Sequence, residues 1–361
     1  MLSRDVISTG PLVLRPPALG DAQMIARAAG DPVTARFLSR LPQPYTVQDA
    51  LSYIGQAETR WGEGGAEFAI TRDGELVGVV GLSAPDVWGA HEIGYWVAPW
   101  ARGRGVASRA ARAVTEWALD RGVPRVVLLA EVENVASVKV ALAAGFTQEG
   151  VEREAKTLRD GRRADWVRFA RLPRDAGRAA VPYLPFFSEL TDGVVRLTPL
   201  AEEDAPRLHE TVTEPSTARW SMIGETSLED IARRCRYTGF WWATGQRIEL
   251  AVRDAATDEF AGHLQLVQVV KELDQAMVGY SLLPRFRGRG LMTRAVRLLA
   301  DWAFEHTPLH RLLAGTDVDN AASQRVLERA GFTLHHRERE LFPRPGGERS
   351  DELVWLRLRA S

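Results

Sequence analysis

The sequence predicts the α/β (α+β) class, with one domain present twice, each copy a twisted mixed central sheet flanked by helices. Three observations carry that prediction. Short blocks recur about 185 residues apart, each copy places a glycine-rich turn between an apolar strand and an amphipathic helix, and a proline-containing stretch separates the copies. Ile93-Gly94-Tyr95-Trp96 returns as Val278-Gly279-Tyr280-Ser281, and Arg102-Gly103-Arg104-Gly105 as Arg287-Gly288-Arg289-Gly290, both at an offset of 185. Asn134 and Ser137 return as Asn320 and Ser323 at 186, and Asp21 as Asp204 at 183. A period this long is a whole domain rather than a solenoid unit. The predicted division is a first domain over 1–172, a linker over 173–193 and a second domain over 194–361.

Within the first copy, 68–72 and 76–82 are strand-like runs joined at Asp73-Gly74, a dipeptide suited to a tight hairpin. Residues 92–97 form a further strand. Val106, Ala110, Val114, Trp117 and Ala118 then recur at helical spacing, ending near Gly122. Residues 125–130 read as an apolar strand, followed by a short helix over about 135–144 that Gly145 closes. The second copy keeps this order through Leu358. The apolar run Tyr183 to Phe187 is unlike a solvated tether, so the linker is predicted to pack against one or both domains.

Composition narrows the function classes. The 361 residues, 45% apolar and 26% charged, suffice for two packed cores. Lys and Arg total 46 against 47 Asp and Glu, so no net positive field gathers a polyanion, and nucleic acid is not an expected partner. Cys235 is the only cysteine, which excludes an intrachain disulfide and a cysteine-rich zinc site and fits a reducing compartment. No basic N-terminal stretch precedes an apolar run, and no window of about 18 apolar residues occurs. A cytoplasmic chain with no membrane partner is expected.

The turn carries the chemistry. A strand that ends in glycines and runs into a helix leaves backbone N–H groups unpaired where the macrodipole favours negative charge. Gly103 and Gly105 let the chain approach an anion closely, and Arg102 and Arg104 add cationic donors. The pattern is neither Gly-x-Gly-x-x-Gly nor a loop ending in Gly-Lys-Ser/Thr, which argues against a nucleoside triphosphate enzyme.

With these blocks in view, the chain resembles the GNAT superfamily of N-acyltransferases, whose pyrophosphate signature is Arg/Gln-x-x-Gly-x-Gly/Ala. Arg102, Gly105 and Ala107 match it; Arg287 and Gly290 match in the second copy, where Met292 replaces the small residue. The Glu-Ile-Gly-Tyr-Trp-Val, Asn-x-x-Ser and Ala-Gly-Phe blocks are similar to the branch that acetylates ribosomal protein N-termini. The resemblance implies acetyl-CoA as co-substrate and an amine of a small molecule or protein N-terminus as acceptor. It implies coenzyme contacts from Val97, Arg102, Gly103, Arg104, Gly105, Val106, Ala107, Ser108 and Asn134. The second set is Leu282, Arg287, Gly288, Arg289, Gly290, Leu291, Met292, Thr293, Asn320 and Ser323. It also implies that Ser137 assists the departing thiolate and that a carboxylate near the fourth strand takes the amine proton, for which Glu92 is the candidate.

Several of these residues have a second reading. Asn134 suits a helix N-cap as well as a coenzyme contact. Glu131 and Glu133, like Asp317 and Asp319, read as solvated acidic turns beside helix starts. Trp88, His91 and Trp96 are either walls of an acceptor pocket or core. The position matching Glu92 in the second copy is Met277, which cannot take a proton, and Glu272 or Asp274 would have to stand in. The first copy is therefore the better seat for catalysis, and a non-catalytic acyl-CoA-binding regulator or scaffold is the alternative.

Overall fold

Leu12 and Leu14 are buried while Val13 between them is exposed, the alternation of a strand with one face on a core. This strand, β2 (Leu12–Arg15), pairs with the short β1 (Ile7–Thr9) at one edge of an eight-stranded sheet. The computed structural model describes residues 2–38, 41–177, 181–220, 226–343 and 348–360, and separates into two compact units, Met1–Val181 and Pro182–Ser361.

In the first unit β2 leads to α1 (Ala22–Ala29), α2 (Pro32–Phe37) and α3 (Val47–Gly62), then to β3 (Ala66–Arg72), β4 (Glu75–Leu82) and β5 (His91–Val97). Helix α4 (Val106–Leu119) crosses to β6 (Val126–Glu131), and α5 (Val135–Ala143) precedes the hairpin of β7 (Thr147–Thr157) and β8 (Arg163–Arg171). Asp73 and Gly74 both have positive φ, 52° and 84°, as a tight β3–β4 turn requires. Helix α4 buries Val106, Ala110, Val114 and Trp117, and the Trp117 ring meets Phe68 edge-on at 5.3 Å. Small residues at 110 and 111 let this helix lie close to the sheet, while Trp117 fills the space at its far end.

The strand order is β1-β2-β3-β4-β5-β6-β8-β7, antiparallel throughout except between β5 and β6. That parallel contact spans two residue pairs, His91 with Val126 and Glu92 with Val127. Past Glu92 the two strands form no further pair, so a wedge opens toward their C-terminal ends. Gly78 holds the far end of β5 to β4 instead: a Cβ there would stand 2.5 Å from the Trp96 carbonyl oxygen.

The second unit repeats the plan with β9 (Leu190–Thr191), β10 (Val195–Pro199), α6 (Ala205–Thr213), α7 (Pro215–Ala218), α8 (Leu228–Ala243) and β11 (Ile248–Asp254). There follow β12 (Phe260–Val270), β13 (Gln275–Leu282), α9 (Leu291–His306), β14 (Arg311–Asp317), α10 (Ala321–Arg329), β15 (Thr333–Pro343) and β16 (Arg349–Leu358). Its single parallel pair, β13 with β14, ends at Met277 opposite Leu313. Val195, Leu250, Leu264, Leu299 and Leu312 are among the buried residues of its core.

The stretch read as a linker is shared out. Residues 173–175 form a 3-10 turn in the first unit, 178–180 lie outside the described residues, and 190–191 are already β9 of the second. Leu184 is buried, and Phe187 meets Trp242 at 4.7 Å and Trp302 at 4.8 Å, so the apolar run packs into the second unit's own core. Aromatic contacts of this kind contribute roughly 0.5–1.5 kcal/mol beyond their burial. Among the described residues no helix is long and apolar enough to cross a membrane.

Candidate functional site

The wedge exposes main chain. The Ser83 N–H donates to the Glu92 carbonyl on the β4 side, and the His91 N–H donates to the Arg125 carbonyl on the β6 side. Backbone groups alternate sides along a strand, so those of Tyr95 and Val97 face the gap where β6 has left. The Val97 carbonyl accepts from Arg102 Nε at 3.3 Å, and the Leu282 carbonyl likewise from Arg287 Nε at 3.1 Å. Each wedge thus runs straight into its glycine turn.

The turn ends in a helix start with no side-chain cap. Asp31 caps α2, Thr46 caps α3 and Asn134 caps α5, but Gly105, at φ 71°, offers α4 no cap, and Gly290, at φ 77°, offers α9 none. The first-turn N–H groups of Val106, Ala107 and Ser108, and of Leu291, Met292 and Thr293, are left for an external acceptor. Gly103 and Gly288 also have positive φ, and a Cβ on either would meet nothing within 4 Å. The ground above both turns is open. Val106, Leu291 and Met292 are buried, so these three have only main chain to offer; Met292 turns its side chain into the core, where the small Ala107 is half-buried.

The arginines divide between two arrangements. Arg102 bonds Asp31 at 2.5 Å and Thr34 Oγ1 at 2.6 Å, tying the turn to the cap of α2. Arg287 bonds Ser216 Oγ at 2.5 Å, Thr217 Oγ1 at 2.8 Å and Glu214 at 3.2 Å, all at the start of α7. Their guanidinium groups hold the protein together, because a fork with five donors satisfies a carboxylate and a hydroxyl at once. The second arginines differ. Arg104 is exposed and, among the described residues, has no bonded partner, whereas Arg289 pairs with Asp254 at 2.5 Å.

A hydroxyl pair spans each wedge. Tyr95 Oη lies 2.7 Å from Ser137 Oγ, and Tyr280 Oη 2.8 Å from Ser323 Oγ. Burial raises both tyrosines above their ordinary pKa, so each phenol keeps its proton. Tyr95 and Tyr280 had no role assigned from sequence, although their recurrence in both Gly-Tyr blocks was the available signal. Asn134 Oδ1 accepts from Ser137 N–H at 3.1 Å and Asn320 Oδ1 from Ser323 N–H at 3.2 Å, so the asparagines are N-caps that set these serines.

Glu92 stands at the apex of the wedge, exposed, on the strand face opposite Tyr95. Its ladder position matches that of Met277, each at the last parallel pair. On the same face Gly94 leaves open space, with nothing within 4 Å of a Cβ, while over the corresponding Gly279 lies Gln265, whose Nε2 is 2.6 Å from a Cβ position. Asp274 and Glu272 sit before β13, on the closed side of the wedge, and Asp274 accepts from Tyr183 Oη at 2.9 Å. Neither stands in for a carboxylate at Met277.

Other expectations sort by burial. Trp88 is 85% exposed, His91 is buried with Nδ1 2.8 Å from the Ser83 carbonyl oxygen, and Trp96 packs on the α1–α3 cluster. Only Trp96 remains beside Glu92 on its face. Glu131 and Asp317 are not solvated: they are 4% and 5% exposed. Among the described residues Glu131 Oε1 has no hydrogen-bond partner, and burial together with Glu133 raises its pKa despite Arg36 and Arg162.

The sequence pattern of the Acetyltransferase (GNAT) domain matches residues 11–147 and again 195–333. The probable N-acetyltransferase YjcK of Bacillus subtilis is 44% identical over 79 residues, covering 22% of this chain and 44% of that protein. The ribosomal-protein-serine acetyltransferase of Escherichia coli is 34% identical over 95 residues, covering 26% and 53%. This chain therefore spans only about half the length of the curated relatives it matches. Among solved structures, Mycobacterium smegmatis RimJ in complex with CoA-disulfide is 22% identical, with 49% of this chain and 91% of that chain covered and a TM-score of 0.45. With the family pattern matched over most of its length, the chain belongs to the GNAT acetyltransferase family and carries its domain twice.

Proposed function

We propose that this chain is a cytoplasmic N-acetyltransferase that moves an acetyl group from acetyl-CoA to a primary amine, and that the reaction runs in the first domain. The early end of the β5–β6 pair carries this reading, because it gathers the Val97 main chain, the Tyr95–Ser137 pair and the apex carboxylate Glu92 at one opening beside an uncapped helix. The uncapped N–H groups of α4 and the open glycine turn fit a pyrophosphate, and the unpaired edge of β5 fits an amide-bearing arm. Acetyl-CoA, when bound, supplies the activated acyl group. The Val97 N–H points into the gap and suits an acyl oxygen. Ser137 and Tyr95 hold a proton between their hydroxyls, available to a departing thiolate. Glu92, beside the open surface at Gly94, takes the proton of the attacking amine through water.

The acceptor is a small-molecule amine or a protein N-terminus; the serine-acetylating relative supports including ribosomal-protein N-terminal peptides among the amines tried. Thiol release from acetyl-CoA over such a panel tests the proposal. Coenzyme binding without turnover on any amine would favour the regulatory or scaffold reading instead. For the second domain, Met277 and the Gln265 side chain over Gly279 favour that non-catalytic reading now.

Two variants probe the first domain. Gly105→Val forces a branched side chain into a left-handed φ and puts bulk above the turn, so coenzyme affinity is expected to fall at least tenfold by titration calorimetry. Unchanged affinity would remove the turn from the site. Tyr95→Phe leaves Ser137 capped through Asn134 but deletes the wedge-spanning hydroxyl; kcat is expected to fall about tenfold with coenzyme Kd within twofold. An equal change in both would mark Tyr95 as a packing residue.

A further inference from the structure

Beside the first unit's turn lies a cavity of about 290 Å³ lined by Pro11 and Leu12, by Val106, and by three arginines, Arg72, Arg104 and Arg109. The arginines come from the end of β3, the turn and the first two turns of α4. Among the described residues Arg104 and Arg109 have no acidic partner, and Arg72 has only the exposed Asp73 at 3.7 Å. Three like charges around one hollow repel one another, and among the described residues only the exposed Asp73 offsets any of them.

The second unit removes that imbalance. Leu12 pairs with Arg72, and Val195, at the corresponding buried position of β10, pairs with Asp254, so an aspartate stands where the first unit has Arg72. Asp254 bonds Arg289, the counterpart of Arg104. Asp192, at the position of Thr9, bonds Arg294, the counterpart of Arg109, at 2.7 Å. Arg104 and Arg109 thus have counterparts in the second unit that are held in internal ion pairs.

We propose that the Arg72–Arg104–Arg109 hollow is a phosphomonoester site that takes the 3′-phosphate of coenzyme A, and that the second unit lacks it. The inference rests on the acetyl-CoA reading of the first domain and assigns that ligand a second anchoring point, beside the one on the α4 N–H groups and sharing Arg104 of the turn. A dianionic phosphate accepting from two or three guanidinium groups forms the strong, charge-assisted type of contact. Coenzyme A and 3′-dephospho-coenzyme A differ in this group alone.

Titration of the full chain with both ligands tests the site. Coenzyme A is expected to bind at least tenfold more tightly than its dephospho form, and Arg72→Asp, which copies the second unit, to reduce that ratio to about one. Affinity for dephospho-coenzyme A should stay within about twofold in Arg72→Asp and in Arg109→Ala, which also reports that the variants are folded. Equal wild-type affinity for the two ligands would overturn the phosphate site and leave the acetyl-CoA reading standing. A variant that weakens both ligands by the same factor would overturn it too. Failure of either ligand to bind would overturn both.

Discussion

Glu92→Gln is expected to lower kcat at least tenfold, and toward the ~10²–10⁴-fold range of general-base catalysis, while coenzyme Kd stays unchanged. The substitution keeps the shape of the side chain and removes its capacity to take a proton. Because Glu92 is exposed and lies on the face of β5 away from Tyr95 and Ser137, the substitution leaves that hydroxyl pair and the glycine turn as they are. Met277→Gln, at the same ladder position in the second domain, is expected to leave turnover as it was. If Glu92→Gln turned over at the wild-type rate, the amine would be losing its proton elsewhere, and the preference for the first domain would rest on the open face at Gly94 alone.

Glu249→Gln is expected to destabilise the second domain by on the order of 3 kcal/mol, read as an earlier denaturant transition. Glu249 is fully buried and contacts Arg234 at 2.9 Å, Arg247, and His263 Nε2 at 2.5 Å. Burial alone would raise its pKa, but the cations around it take it down to about 2. Burial presses His263 toward the neutral form, so the two arginines are the dependable source of that field. A depressed carboxylate pKa stabilises the fold fully above the unfolded value near 4.5 and less as pH falls through about 2. The gap between wild type and variant should therefore hold from pH 7 to about 4.5 and close below it. A gap constant down to pH 2 would show that the loss is one of packing.

The same cluster accounts for the side chain that covers Gly279 in the second domain. Arg234 bonds Glu249 and also Gln265 at 2.9 Å, and Gln265 lies over Gly279. In the first domain the corresponding row holds Glu67, Gly81 and Gly94, and the surface beside Glu92 stays open.

The residue pattern by itself determined the repeat, the strand, turn and helix order, and the place of both glycine turns, because these depend on local rules: alternation along a strand, 3.6-residue spacing along a helix, positive φ at glycine. It also located Glu92 against Met277, since the repeat aligns them. Tertiary structure alone decided which charges are free. Arg102 and Arg104 sit two residues apart with the same chemistry, yet one is consumed by Asp31, 71 positions away, and the other faces an open cavity. Glu131 looked solvated and is buried for the same reason. The field at a charge depends on partners brought in by the fold from distant segments, and no local pattern along the chain records which of them will arrive.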